Sequence, residues 1–274
     1  MRIDAHQHFW DLDCFAYPWM PPAPSVLRQN FLPDRLASIL DRNRFDGSIA
    51  VQATTSLAET RWLLELAEAN EFIRGVVGWV DLTDPRLGDV LDDLQRHPKL
   101  KGVRHPVHDE ADDEWLLRRD VVVGLAELAQ RDLPYDLLIR PQHLPQVSRI
   151  AERAPELRMV IDHIAKPMIA AQVMEPWARD LEAISKLPQV YCKLSGMITE
   201  AAPNWKADDL RPYVAHVMRI FGPDRLMFGS DWPVCTPAGS WKEALAAYTQ
   251  SIGAQSMEVR EKLLGGTAQR FYRV

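Results

Sequence analysis

Cysteine is scarce in this chain: Cys14, Cys192 and Cys235 are the only three, an odd number without Cys-x-x-Cys spacing. They offer no disulfide framework and fit reduced thiols in a cytoplasmic protein, where free cysteines mostly act as small packing groups. An excess of basic charge is also lacking. The net charge of -6 leaves no basic stripe for nucleic acid. Apolar runs all fall well short of the roughly 20 residues of a membrane span. Arg2, Asp4, His6 and His8 occupy the stretch where a signal peptide would be apolar, so secretion is not expected. No Gly-x-Gly-x-x-Gly turn follows the first apolar run, which argues against a doubly wound dinucleotide-binding sheet. No repeat, low-complexity tract or long linker divides the chain.

What is present is alternation. With 47% hydrophobic and 26% charged residues, the chain can bury a large core and still dissolve. Strand-length apolar runs occur at Ile3–His8, Ser48–Ala53, Ile73–Val80, Leu100–His105, Tyr135–Arg140, Met159–His163, Val190–Ser195 and Leu226–Gly229. Such near-continuous runs suit parallel strands covered by helices on the outside. Amphipathic segments lie between them: Pro33–Asn43, a helix opened by the Ser56-Leu57-Ala58-Glu59 capping box, one opened by Asp84-Pro85, then Trp115–Arg131, Leu144–Ala154, Trp177–Leu187, Leu210–Phe221 and Trp241–Ser251. The pattern predicts a single-domain α/β fold, a (β/α)8 TIM barrel over residues 1–274. Phe9–Phe31, rich in proline and aromatics, is too long for an ordinary connection and is expected to be a lid over the site.

Active sites of such barrels lie at the C-terminal strand ends. His6 and His8 end the first run, two apart and so on one face if the strand is regular. Arg104 and His105 end the fourth, Arg140 the fifth, His163 the sixth, Lys193 and Ser195 the seventh, and Asp231 follows the eighth. Polar groups in apolar strands are costly to bury without partners, so their gathering at one rim points to chemistry. Asp4 is expected one layer below His6 on the same face. Asp162 alternates away from His163 and is expected to face the helix layer. His97, His108, His143 and His216 are expected in solvent. Imidazoles and a carboxylate can bind a divalent metal and handle a proton.

The segments Ile3-Asp4-Ala5-His6-Gln7-His8-Phe9-Trp10, Asp162-His163-Ile164-Ala165-Lys166-Pro167, Lys193-Leu194-Ser195-Gly196 and Phe228-Gly229-Ser230-Asp231-Trp232-Pro233 resemble the amidohydrolase superfamily. Within it they are most similar to the sugar-lactone hydrolases (fuconolactonase- and rhamnonolactonase-like proteins, related to pyrone dicarboxylate lactonase). The resemblance implies a (β/α)8 fold and hydrolysis of a cyclic ester, with Asp231 as the base and His163 and Arg104 as further catalytic groups. By their place at the rim, His105, Arg140 and Lys193 are expected toward the substrate, and the rings of Trp10 and Trp232 suit a sugar face. A mononuclear site of His6, His8, His163 and Asp231 would hold one Zn²⁺ or other divalent metal, not required for activity. A binuclear centre is not expected, because strand four offers Arg104-His105 and strand five Arg140 where binuclear members carry metal ligands. The expected partner is a small-molecule sugar lactone, with neither nucleic acid nor membrane, and a homo-oligomer is left open. Two other readings stand beside it: a metal-dependent decarboxylase of an aromatic acid on the same scaffold, and a non-catalytic metal- or sugar-binding barrel.

Overall fold

A computed structural model describes all 274 residues. Eight parallel strands pair in chain order: β1 (Ile3–Gln7), β2 (Gly47–Val51), β3 (Ile73–Gly78), β4 (Leu100–His105), β5 (Tyr135–Leu137), β6 (Met159–Ile161), β7 (Val190–Leu194) and β8 (Leu226–Phe228). Helices α1 (Pro33–Arg42), α2 (Leu57–Ala69), α3 (Leu87–Leu94), α4 (Arg119–Gln130), α5 (Leu144–Arg153), α6 (Trp177–Ser185), α7 (Ala207–Phe221) and α8 (Trp241–Ile252) follow the strands in turn. The expected (β/α)8 architecture is therefore what folds. Two short helices not anticipated from the sequence, α9 (Met257–Glu261) and α10 (Thr267–Tyr272), end the chain. No helix is long and apolar enough to cross a membrane.

Local chemistry explains the element boundaries. Ser56 caps α2 by accepting from the Glu59 N–H at 3.3 Å. Glu59 does not complete the expected box: its carboxylate accepts instead from Ala53 and Thr54 N–H, both at 3.0 Å. Asp84 accepts from Arg86 N at 2.8 Å in a turn of its own, so α3 begins only at Leu87. Strands β5 and β6 stop earlier than their apolar runs, at Leu137 and Ile161.

Alternation along the strands builds two layers. One face of Val76, Val103, Tyr135, Leu137, Cys192 and Phe228 joins the large core beneath the helices. The other face places Ile3, Ala5, Ile49, Val51, Val77, Val160 and Met227 inside the barrel, where Phe271 and Tyr272 of α10 join them. The β1–β2 register shifts between Asp4 and Gln7. That irregularity, an extra residue in the pleat, separates Asp4 from His6. Asp4 consequently leaves the expected interior face: its carboxylate accepts from Trp241 Nε1 of α8 and Ser230 N, each at 2.8 Å. The barrel closes at the two motifs themselves, through Asp231 N to His6 O (2.8 Å) and His8 N to Trp232 O (2.7 Å).

Candidate active site

Above the apolar floor lies a buried ionic layer built from inward-facing strand residues. Lys193 of β7 donates to Asp136 of β5 at 2.5 Å and lies 3.0 Å from Asp162. Asp136 also accepts from the Tyr272 hydroxyl at 2.7 Å. Asp162 receives Arg104 Nη1 at 3.1 Å and lies 3.3 Å from His6 Nδ1. Burial would push the Asp162 carboxyl up, but Lys193, His6 and Arg104 more than offset it and hold it well below the usual range. For Asp136, burial wins over Lys193 and raises the carboxyl to about 6.

These placements correct two expectations. Asp162 faces the barrel interior, not the helix layer, and is a partner of His6. Lys193 is wholly buried one layer below the rim, paired with Asp136 and Asp162, and lies outside the cavity lining. His163 explains the Asp162 error. From His163 to Lys166 four successive residues have φ between 47° and 60°. This left-handed turn ends strand alternation and swings the imidazole back over the barrel mouth, although each non-glycine residue there costs about 1 kcal/mol or more. Gly196 makes the space: a Cβ at that position would lie 2.5 Å from His163 Nδ1.

Around the mouth the Nε2 atoms of three histidines face one carboxylate oxygen. Asp231 Oδ1 lies 3.4 Å from His8 Nε2, 3.8 Å from His6 Nε2 and 3.9 Å from His163 Nε2. His6, His163 and Asp231 offer ligand atoms all within 4.8 Å of one another, and His8 Nε2 stands 3.2 Å from His6 Nε2. The outer partners fix which nitrogen faces inward. His8 Nδ1 donates to Val51 O at 2.8 Å, leaving Nε2 toward the site. His6 has a donor-only cation against each ring nitrogen, Arg104 Nη1 at 3.3 Å from Nε2 and Lys193 Nζ at 3.2 Å from Nδ1, with the Asp162 carboxylate 3.3 Å from Nδ1. His163 Nδ1 pairs with Ser195 Oγ at 2.9 Å. Two inward nitrogens so close, beside a carboxylate, suit a shared cation, and each ligand has the outer hydrogen-bond partner that metal-binding histidines use. The donor set fits a divalent metal. Burial lowers the basicity of His6 and His163, leaving both neutral near pH 7. Burial would raise Asp231, but His163, His8 and Lys166 outweigh it and keep it an anion.

The cavity over this cluster measures about 460 Å³ and is lined by His8, His163, Asp231, Arg104 and His105 among others. A larger groove of about 780 Å³ between α3 and α4 shares no residue with it. His105 is held flat on Trp115 (4.1 Å between centroids) between Trp79 Nε1 at 3.0 Å and Glu110 at 2.6 Å. Trp79 donates to Nδ1, so His105 Nε2–H donates to Glu110. The remaining expected substrate contacts are displaced. Arg140 is exposed and outside the lining because β5 ends three residues before it. Trp10 and Trp232 are buried against Phe31 (5.1 and 5.3 Å) and pack the Phe9–Phe31 segment down instead of facing the cavity. From that segment Pro18 and Trp19 line the cavity, with Trp19 Nε1 donating to Ala53 O at 2.6 Å.

Sequence reasoning missed other lining residues. Gln52, Thr54, Thr55 and Lys166 carry no motif of their own, although Lys166 lies inside a segment already singled out. His108 was expected in solvent but lines the cavity, and burial together with Lys166, Arg104 and Arg140 lowers its pKa to about 3. His143 is likewise buried, accepting from Arg140 N at 3.1 Å.

Comparison with known proteins places this constellation. A family model described as amidohydrolase matches residues 3–274. The chain belongs to the amidohydrolase family. It is 37% identical to an L-fucono-1,5-lactonase of Burkholderia ambifaria, covering 100% of this chain and 96% of that one. It is 39% identical to an L-fucono-1,5-lactonase of Burkholderia multivorans, covering 99% and 96%. A Burkholderia multivorans amidohydrolase solved with bound zinc superposes with a TM-score of 0.94 at 39% identity, covering 100% and 99%.

Proposed function

We propose that this amidohydrolase opens a sugar-acid lactone to the hydroxy acid, with a neutral aldonolactone such as fuconolactone as substrate. The observation that carries the reading is the Asp231 carboxylate, buried and ionised among three imidazole Nε2 atoms at the base of an open cavity. Lactonase relatives over the whole chain support the same reaction. Asp231 takes a proton from the attacking water, a role that contributes on the order of 10²–10⁴-fold. His163, whose Nδ1 can accept from the Ser195 hydroxyl and leave Nε2–H inward, and Arg104 stand beside the carbonyl oxygen as it gains charge, and Asp231 returns the proton to the departing ring oxygen. His6, His8, His163 and Asp231 would hold a zinc ion, which when bound supplies Lewis acidity and a more acidic water. Arg104 already directs positive charge at His6 Nε2.

Charge bookkeeping around the cavity argues for a neutral substrate. Arg104 is committed to Asp162 and Gln52, and Lys166 donates to Glu200 at 2.7 Å. Asp109, Glu110 and Asp231 add negative charge. An aromatic carboxylate, needed by the decarboxylase alternative, finds no uncommitted cation. The Pro18–Trp19 edge gives a sugar ring an apolar wall. The test is proton release from a panel of aldonolactones, read with a pH indicator, for wild type and Asp231→Asn. Wild type should turn over at least one lactone and the variant should lose at least about 10²-fold. A panel rate no faster than spontaneous hydrolysis rejects the proposal.

A further inference from the structure

Gln52 follows β2 directly and is buried in the cavity wall. Its amide orientation is set by chemistry. Arg104 Nη2 donates both to the Gln52 main-chain oxygen at 2.5 Å and to its Oε1 at 3.1 Å. A guanidinium cannot accept, so Oε1 must face it and Nε2 must be the other end. No protein atom accepts from Nε2. A buried amide donor left this way is desolvated without compensation unless a ligand satisfies it. The same guanidinium touches His6 Nε2 at 3.3 Å through Nη1, so one planar group spans the distance from the Gln52 amide to the imidazole cluster. The residue before Gln52, Val51, anchors His8 by its carbonyl. Gln52 Nε2 is therefore a neutral donor in the wall of the cavity that Asp231 also lines, with its hydrogens unspent.

We propose that Gln52 is a catalytic residue whose Nε2–H donates to the lactone carbonyl oxygen and strengthens that bond as the oxygen becomes an anion. This rests on the lactonase reading above and deepens it. No covalent bond to Gln52 forms. Water adds to the carbonyl carbon, its proton passes to Asp231, and the ring C–O bond then breaks as that proton reaches the ring oxygen. Gln52 only stabilises the intermediate's charge.

Two variants test it on a lactone that wild type has first been shown to hydrolyse, so failure of the lactonase reading is seen separately. Gln52→Met keeps length and leaves the main-chain oxygen for Arg104. Gln52→Glu keeps the Oε1 acceptor and replaces the donor by an acceptor. Circular dichroism and thermal melting establish that each folds. Removing one oxyanion donor should lower kcat by about 10²–10³-fold in both, with KM within about threefold. A phosphonate mimic of the tetrahedral intermediate should lose affinity in proportion to kcat/KM. Raised KM with intact kcat would assign Gln52 to a ground-state hydroxyl and overturn the proposal. Wild-type kinetics in Gln52→Met would overturn it too. If one variant does not fold, the other alone decides.

Discussion

Replacing Lys193 by methionine is the most direct test of the buried ionic layer. The substitution preserves most of the side chain's apolar length, so little packing is lost. It removes the ammonium that sits 2.5 Å from Asp136 and 3.0 Å from Asp162, all three groups being wholly inaccessible. Asp162 keeps Arg104 and His6, whereas Asp136 is left with the Tyr272 hydroxyl alone. Breaking one side of a buried pair costs about 3–5 kcal/mol, because the partner charge stays buried without compensation. The sign of the pH dependence follows. Burial already raises the Asp136 carboxyl to about 6 in the intact protein, so its charged form weakens the fold as pH rises from the unfolded value toward 6. Without Lys193 that carboxyl rises further, and the penalty grows on through neutral pH. Urea unfolding should therefore show a loss of about 3–5 kcal/mol at pH 8 and a smaller one at pH 6. Adding Asp136→Asn in the Lys193→Met background should recover part of the loss as a double-mutant coupling. A loss below about 1 kcal/mol at pH 8, or no recovery, would show that the layer is not electrostatically coupled.

Two further outcomes are expected. Gly196→Ala places a Cβ 2.5 Å from His163 Nδ1 at a residue with φ of 61°, so kcat should fall by about 10-fold or more through misplacement of the imidazole; unchanged kinetics would mean that His163 can shift freely. Glu59 is raised to about 7 by burial despite its backbone donors, so its charge costs stability as pH rises from its unfolded value through about 7. Glu59→Gln can still accept from Ala53 and Thr54, and relative to wild type it should gain stability between pH 5 and 8; parallel stability curves would refute the buried charge.

The barrel, its strands and the rim histidines were legible because apolar runs and polar strand ends survive in any register. Side-chain direction was less so. The expectation for Asp162 assumed extended backbone through His163, and that for Asp4 assumed an unbroken pleat. A left-handed turn and a register shift, neither of which has a composition signature, reversed both. Trp10 and Trp232 suggested ligand contact by size alone, and ring packing took them inward. Lys193 did carry a signal: one cation at an interior strand position requires an anion opposite, and Asp136, alone among the apolar residues of β5, was the visible partner. Gln52 carried none, since an amide at a strand end is unremarkable until its oxygen is seen to be occupied.

The barrel's seam has a consequence for how the protein matures. His6 and His8 sit on the first strand and Asp231 just beyond the last, and the two backbone bonds that join them are also the bonds that shut the cylinder. Asp4 adds its contacts to Ser230 and Trp241 across more than two hundred residues of chain. Contacts of such sequence separation form late, after their loop-closure entropy has been met by everything between. Before closure the histidines and their carboxylate belong to opposite edges of an open sheet. Catalytic competence thus requires the closed cylinder, and regain of activity during refolding reports that the last strand has met the first.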